Sequence, residues 1–392
     1  MLNIIYKIFP NYLTTIFNSI LVVFYVYQDA TKWSIVKFIN ADAQRLNIDS
    51  FTVLYYAECY DKIGDRVFEI NDDCSSWSYG SFTLRILSFF KIFHGHEQIG
   101  HIFTYSILLI FVSMISKYFW NPLIQTTLFV GFISPPIWLL LERANFDALI
   151  FIFIYISGIL FQKGYVKSSL GLILACTLIK FYTLPILLIA IILIKKKMDK
   201  ILAFVYSSIA LLIILSDLSK MTGFPIQAGY NHFGMKIIGN YLGKINIRLD
   251  IFLQYIISAM IFLCFIYVAL EFLKQHKNRY VTDLKNSTFI FGKEMLNFIV
   301  FISCFVVGLS VDYRLIFYIA SFGYFLTLMP VNLRIYYSIV FVFSIWLTYP
   351  TGNLQTIGDL ALEIVAALQI AIIFNFMVRN NKFILGLTLK NK

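Results

Sequence analysis

Long apolar runs, each closed by a charge, a proline or an asparagine, constrain the fold of this chain more than any other feature. Of the 392 residues, 59% are hydrophobic and only 14% are charged. Soluble domains of this length do not carry so many apolar runs. There are about twelve such segments: 11–27, 101–118, 122–141, 145–161, 168–179, 182–194, 201–216, 249–272, 295–310, 315–329, 335–349 and 358–378.

These segments predict an all-α, polytopic integral membrane protein of about twelve transmembrane helices, forming one membrane-embedded domain over residues 1–392. Several are shorter than the roughly 20 residues that cross a bilayer as a helix. Residues 168–194 are long enough for a single helix, but Lys180 and Pro185 interrupt them, which favours two short helices.

The basic residues predict the orientation. With the N-terminus inside, most of the 32 Lys and Arg residues fall in cytoplasmic segments, as the positive-inside rule requires. We therefore expect a protein of the cytoplasmic membrane with both termini in the cytoplasm. The net charge of +11 follows from this topology and does not indicate a nucleic-acid partner.

Two external loops are expected to form a roof over the external surface. The loop 28–100 carries about half of the acidic residues, and the loop 217–248 contains several Gly residues and Pro225. Within the first, residues 81–93 place apolar side chains on one helical face, which predicts a helix lying in the membrane interface. These side chains are Phe82, Ile86, Phe89 or Phe90, and Phe93.

Cysteine and histidine usage limits the chemistry. Cys59 and Cys74 share the loop 28–100, so a disulfide is compatible with an oxidising compartment, although their spacing does not decide it. The spacings typical of zinc sites do not occur, and no metal ligands are predicted. The loop acids leave a divalent cation open as a cofactor. A Gly-rich phosphate loop is also lacking, which argues against an ATP-driven pump.

Three polar segments interrupt the apolar pattern: 142–147, 180–182 and 312–314. The predicted topology brings all three to the external side of the membrane. Because a charge at bilayer depth is costly, such residues usually mark a functional site.

The polar segments also carry a resemblance to a known family. Residues 141–150 (LERANFDALI), 178–185 (LIKFYTLP) and 312–317 (DYRLIF) resemble three signatures of C-type membrane glycosyltransferases. The most similar branch is that of the polyprenyl-phosphate-mannose-dependent mannosyltransferases of bacterial envelopes. Residues 47–57 (NIDSFTVLYYA) resemble the acidic and aromatic segment of that family's first external loop. The family usually has Gly at the position of Ala144.

The resemblance implies an inverting glycosyltransferase with an external active site. Its donor would be a sugar, mannose or another hexose, on a polyprenyl phosphate, and its acceptor a glycan or glycolipid. Its other partners would be membrane lipids. Asp49 matches the family's catalytic base by position, and a carboxylate suits that role. Fixed cations suit the leaving phosphate. The expected phosphate-binding cations are Arg143, Lys180 and Arg314. The expected substrate-binding residues are Asn145, Asp147, Tyr182, Asp312 and His232.

The residues leave alternatives open. Asp42, Asp61 and Asp65 are other acids for the base. Arg143 and Asp147 stand four residues apart and would pair on a helix. Lys180 could serve as an anchor at the membrane interface. Asn145 and Tyr182 could cap or anchor helix ends.

Two other functions also stay open. One is an envelope polysaccharide or lipid-linked glycan flippase or transporter, which would carry ionisable residues near the middle of its spans. The other is an O-antigen-type polymerase, which would carry its long loop late in the chain.

Overall fold

The computed structural model describes residues 2–31, 47–68, 74, 81–194, 196–220, 232–233, 251–275, 292–307, 310–311, 314–329, 331–348, 354 and 357–373. The fold within these ranges is all-α, as predicted. The first ten helices are α1 (Leu2–Thr31), α2 (Ile48–Ile63), α3 (Ser81–Phe89), α4 (His96–Lys117), α5 (Pro122–Phe132), α6 (Pro135–Glu142), α7 (Asp147–Gln162), α8 (Val166–Ile179), α9 (Leu184–Leu193) and α10 (Lys197–Lys220).

The remaining helices are α11 (Ile251–Gln275), α12 (Lys293–Val307), α13 (Leu315–Leu328), α14 (Val331–Trp346) and α15 (357–373). Two 3-10 turns, Gly64–Phe68 and Phe181–Thr183, follow α2 and α8. A minimal antiparallel pairing joins β1 (His232–Phe233) to β2 (Ser310–Val311).

Each of the predicted apolar segments overlaps a helix, but few of these helices have the length of a membrane span. Among the described residues, His96–Lys117 and Lys197–Asp217 are long and apolar enough to cross a bilayer. The pair α5 and α6 would qualify as one span bent by 46°. Helices such as α7, with 16 residues, reach only about 24 Å at 1.5 Å per residue.

Prolines explain where two apolar segments break. The segment 122–141, predicted as one helix, divides because Pro135 and Pro136 cannot continue the hydrogen bonds of α5. In 168–194 the two predicted helices are confirmed, with Lys180 extended between them. Pro185 lies in the first turn of α9, where its missing N–H is tolerated.

The described chain divides into two compact units. The first comprises residues 1–230, 289–304 and 313–323, and the second comprises 231–288, 305–312 and 324–392. In the first unit, Phe111 stacks on Phe132 with ring centroids 3.7 Å apart, and Phe151 contacts Phe317 edge-on. Aromatic side chains thus join α4, α5, α7 and α13. In the second unit, α15 begins so close to the end of α14 that a Cβ on Gly358 would meet the Leu347 backbone.

The described residues between 48 and 93 (48–68, 74 and 81–93) form what we call the loop module. Its centre is a Cys59–Cys74 disulfide, surrounded by buried residues of α2, α3 and the 3-10 turn between them. Asp217 of α10 holds the start of α3, because its carboxylate accepts hydrogen bonds from the Ser81 N–H at 2.8 Å and the Ser81 hydroxyl at 2.6 Å. The disulfide that the sequence left open is therefore formed.

Asp61 ties α2 to the end of α3. Its carboxylate accepts hydrogen bonds from Lys91 at 2.5 Å and from Ser88 at 2.9 Å. The Lys91 ammonium, followed by the Ser88 hydroxyl, holds the pKa of the Asp61 carboxyl below its ordinary value. This acid is thus engaged within the loop module.

The apolar face predicted for residues 81–93 is exposed only at its centre. Phe89 and Phe90 are 78% and 64% exposed, and Ile86 is exposed beside them. Phe82 and Phe93 are half-buried instead, and Phe93 packs against the core of the loop module. The exposed surface is a short aromatic tip, because the rest of the helix contributes to the module's own core.

Candidate functional site

The candidate site is built at helix ends of the first unit. Helix α6 ends at Glu142, α7 begins at Asp147, α8 ends at Ile179 and α13 begins at Leu315. Helix ends leave backbone N–H and C=O groups unpaired, so polar side chains and polar backbone can collect there. The predicted polar segments 142–147 and 180–182, together with Arg314, come to these ends.

The loop module docks here through its backbone. The Asn47 N–H donates to the Glu142 carbonyl at 2.7 Å, and the Asp49 N–H donates to the Arg143 carbonyl at 3.1 Å. The donating N–H groups lie at the start of α2, and the accepting carbonyls lie at the end of α6. A helix leaves such terminal groups without a partner of its own. The contact also brings the positive end of one helix dipole to the negative end of another. Asp49 is thereby fixed beside Arg143.

The turn after α6 contains a residue in the left-handed conformation. The Ala144 N–H donates to the Leu141 carbonyl at 3.0 Å, and the Asn145 N–H donates to the Leu140 carbonyl at 3.2 Å. These two bonds form a Schellman motif, which needs a left-handed residue. Ala144 occupies that position with φ 47°. Glycine would adopt this conformation without steric cost, because it lacks a Cβ.

Asp49 and Arg143 form what we call the outer centre. The Arg143 Nε donates to Asp49 Oδ2 at 2.8 Å, and Nη2 donates to Oδ1 at 2.6 Å. The pair is bidentate, the strongest geometry for a guanidinium and a carboxylate. The Asp49 side chain is 17% exposed and that of Arg143 is 26% exposed. Both groups are thus within reach of a ligand.

Asp147, Lys180, Tyr182 and Arg314 form what we call the inner centre. The carboxylate of Asp147 is fully buried and accepts three hydrogen bonds: from Lys180 Nζ at 2.7 Å, Tyr182 Oη at 2.5 Å and Arg314 Nε at 3.0 Å. The Arg314 guanidinium also lies over the Tyr182 ring, 5.0 Å from its centroid. Because an unpaired buried charge is costly, these contacts hold one another in place.

Asn145 bridges the two centres. Its Nδ2 donates to Asp49 Oδ2 at 2.5 Å, and its Oδ1 accepts from Lys180 Nζ at 3.3 Å and from the Asp147 N–H at 2.8 Å. One amide can do this because it carries donors and an acceptor on the same planar group. The two centres therefore form a single hydrogen-bonded network.

The network gathers fixed charges. In the described part of the chain its ionised side chains are three cations, Arg143, Lys180 and Arg314, and two carboxylates, Asp49 and Asp147. Apolar helices surround the network, and charge interactions are stronger there than in water. An arrangement of this kind favours an anionic ligand that approaches the more exposed outer centre.

The structure brings together seven of the nine predicted site residues: Asp49, Arg143, Asn145, Asp147, Lys180, Tyr182 and Arg314. Asp312 lies outside the described residues, and only the backbone of His232 is described, in β1. Their predicted roles stay predictions.

The structure does not have the helical pair of Arg143 with Asp147, and it does not have Lys180 in the form of an anchor, the two alternatives that the sequence left open for these cations. Arg143 pairs with Asp49 from another segment, and a turn lies between Arg143 and Asp147 where the helical alternative required a helix. The Lys180 side chain is 10% exposed and pairs with Asp147, whereas an interfacial anchor would extend its ammonium group towards water.

Sequence reasoning did not identify a second polar cluster, between α1 and α4. Asp29 accepts a hydrogen bond from Tyr105 Oη at 2.8 Å and lies 2.6 Å from His101 Nδ1. The spacing of His101 and Tyr105, four residues apart on α4, was the available signal. The cluster clamps the end of α1 to α4.

In the part of the chain that the structure describes, no three His, Cys, Asp or Glu side chains are arranged to hold a metal ion. No protein-family model, curated protein or solved structure matches this chain. The resemblance to C-type glycosyltransferases therefore stays a prediction that rests on the sequence segments themselves.

Proposed function

We propose that this protein is an inverting membrane glycosyltransferase. It transfers a sugar, mannose or another hexose, from a polyprenyl phosphate donor to a glycan or glycolipid acceptor on the external face of the cytoplasmic membrane. The observation that carries the proposal is the convergence of Arg143, Lys180 and Arg314 on two carboxylates. Three chain segments contribute these cations, and fixed cations of this kind suit the phosphate of the donor.

Asp49 has the properties required of the base. It is the more exposed of the two carboxylates, and the loop module holds it at the start of α2. In the proposed step the acceptor hydroxyl attacks the anomeric carbon and gives its proton to Asp49. The new carbon–oxygen bond forms as the bond to the phosphate oxygen breaks. The electron pair of the broken bond leaves with the polyprenyl phosphate, next to the cations.

The Cys59–Cys74 disulfide supports the external location. Disulfides persist in oxidising compartments and are rare in the cytoplasm. Cys59 lies on the same helix, α2, as Asp49. A compartment that oxidises this pair is therefore the compartment that the base faces.

We further propose that the twelve apolar segments all belong to the membrane domain, with both termini in the cytoplasm. In this arrangement α1 and α4 flank an external loop, and the Phe89–Phe90 tip of the loop module rests in the membrane interface. Aromatic side chains favour that depth, and the neighbouring Lys91 suits the headgroups. Helices shorter than a bilayer are accommodated by tilt, by pairing across a break or by local thinning.

The test is a transfer assay on the full chain in lipid vesicles. The donor is radiolabelled polyprenyl-phosphate mannose, and an envelope lipid and glycan extract supplies the acceptor. We expect label to move to the acceptor with the native chain and not with Asp49→Asn. Asp61→Asn is the matched control, since Asp61 lies in the same module but pairs with Lys91. If neither transfer nor donor hydrolysis occurs with any hexose tested, the proposal is wrong.

One observation favours the transporter as a second candidate. Glu363 lies near the middle of α15, is 2% exposed, and neither of its carboxyl oxygens has a hydrogen-bond partner in the described structure. Sequence reasoning had placed the ionisable residues at the external ends of the segments and did not single out this acid. An ionisable residue inside an apolar helix is a typical feature of transport pathways. Movement of a lipid-linked glycan across vesicles, abolished by Glu363→Gln, would support that function.

A further inference from the structure

Asp49 cannot act as an unobstructed base in the arrangement that the structure shows. Arg143 fills one position on each of its oxygens, and Asn145 fills a second position on Oδ2. A carboxylate offers roughly four acceptor positions, so three are occupied. One position, on Oδ1, remains for an acceptor hydroxyl. Withdrawal of a partner would open the carboxylate further and free its charge for the proton.

Arg143 is the cation that is able to move. Its side chain is 26% exposed, against 14% for Arg314 and 10% for Lys180. Lys180 and Arg314 both pair with the fully buried Asp147, and withdrawing them would leave that carboxylate without its countercharges. Arg143 pairs with a partly exposed carboxylate that keeps the Asn145 hydrogen bond when the guanidinium leaves.

We infer that the donor phosphate takes Arg143 from Asp49, so that binding of the donor frees the base. This inference rests on the proposed function, because it names the phosphate of the donor as the competing anion. A guanidinium matches phosphate oxygens as well as it matches a carboxylate, and both contacts are bidentate. Donor and base therefore compete for one cation, and the base is uncovered only when a sugar is in place to be attacked.

The same exchange gives an order to the rest of the cycle. After transfer Asp49 carries the proton of the acceptor and no longer attracts Arg143. The leaving polyprenyl phosphate has become a monoester with a greater negative charge, so it holds Arg143 more tightly. When Asp49 loses its proton to water, its carboxylate draws Arg143 back and the product phosphate is released.

The inference predicts that removing the charge of Asp49 strengthens phosphate binding. The probe is farnesyl phosphate, with farnesol as the uncharged control, titrated by calorimetry into the full chain in phosphatidylcholine nanodiscs. We expect Asp49→Asn to bind farnesyl phosphate about tenfold more tightly than the native chain, within the usual range of coupling between two sites. Farnesol binding is expected to be equal in both. Asp49→Ser serves as a second variant if Asp49→Asn does not fold.

Two further variants make the result specific. Asp61→Asn removes a carboxylate of the same loop module that pairs with Lys91, and it is expected to leave farnesyl phosphate binding at the native level. When the parent chain already carries Arg143→Gln, adding Asp49→Asn is expected to give no tenfold gain in farnesyl phosphate affinity. A gain that persists without Arg143 would contradict the exchange, because it would arise from charge alone.

The possible failures are distinguishable. If the native chain and Asp49→Asn bind farnesyl phosphate equally, and Arg143→Gln weakens both, the phosphate site stands and the exchange is wrong. If all variants bind farnesyl phosphate no better than farnesol, the phosphate site itself is wrong. In that case both the proposed function and the exchange are overturned.

Discussion

The outer and inner centres contain the same chemical groups at different depths. Each pairs an aspartate with arginine, but Asp49 is 17% exposed and pairs with Arg143, whereas Asp147 is fully buried and pairs with both Lys180 and Arg314. A buried carboxylate with this many partners cannot exchange them without a large loss of stability. A partly exposed pair can. We infer that the inner centre maintains the architecture of the site and keeps Lys180 and Arg314 in place for the phosphate, whereas the outer centre carries out the proton transfer.

The largest expected effect is that of Asp147→Ala. This change leaves Lys180 and Arg314 buried without a carboxylate, and we expect it to lower the free energy of unfolding by about 3–5 kcal/mol. Chemical unfolding of the purified chain in detergent measures the loss. A stable Asp147→Ala protein that has lost only its ligand binding would contradict this prediction, because Asp147 would then serve binding and not stability.

Asp49→Asn is expected to have the opposite profile. Removing a general base lowers the transfer rate by roughly 10²–10⁴-fold. Stability should change by no more than about 1 kcal/mol, because the pair is partly exposed and the backbone bond from Asp49 to Arg143 remains. The transfer assay and the unfolding curve are measured on one preparation. Full activity in Asp49→Asn would move the base to Asp42, Asp61 or Asp65.

The disulfide is expected to support the outer centre only. It closes a loop of 15 residues, for which the chain-entropy model gives about 3 kcal/mol. Cys59→Ser should therefore loosen the loop module and lower transfer. Protease digestion should then cut within residues 48–93 while α7 and α8 stay intact. Equal protection of the loop module with and without the disulfide would contradict this prediction.

A smaller effect is expected at Ala144, which lies between Arg143 of the outer centre and the bridging Asn145. Ala144→Gly relieves a left-handed conformation worth about 1–2 kcal/mol but exposes the space of a buried methyl worth about 0.8 kcal/mol. We expect a gain in unfolding free energy of up to about 1 kcal/mol, with transfer unchanged. Ala144→Val is the contrasting variant, since a β-branched residue is strained at this φ. Equal stability of the Gly and Val variants would show that the turn is not constrained.

The smallest effect concerns pH. The pKa of Asp61 is lowered in the folded chain, chiefly by Lys91, from its ordinary value of 3.8. A carboxyl with a lowered folded pKa stabilises the protein above its unfolded pKa, and this contribution is lost as the pH falls through the folded value. Protease protection of the loop module should therefore weaken below about pH 4. In Asp61→Asn this part of the pH dependence should disappear.

The sequence predicted the members of the site better than their pairing. Arg143, Lys180 and Arg314 stood out because they lie in three polar segments that interrupt the apolar pattern, and a charge at bilayer depth is costly. The sequence did not show which carboxylate each of these cations would pair with. Asp49 and Arg143 are 94 residues apart, and their contact depends on how α2 meets the end of α6.

The fold was predictable to a similar extent. Apolar periodicity located the helices, and Lys180 with Pro185 marked a real break. The bend at Pro135 and Pro136 was missed, although two successive prolines inside an apolar run were visible. The aromatic tip was predicted too broadly, because the sequence does not show which side of α3 packs against the rest of the loop module.

The most direct test compares Asp49→Asn with Asp147→Asn, two changes that replace one carboxylate oxygen by an NH2 group. Transfer rate and unfolding free energy are measured for both variants in the same lipid vesicles. We predict that Asp49→Asn is stable and inactive, whereas Asp147→Asn is much less stable, with residual transfer in its folded fraction. The reverse pattern, with Asp147→Asn stable and inactive and Asp49→Asn active, would contradict the assignment of chemistry to the outer centre.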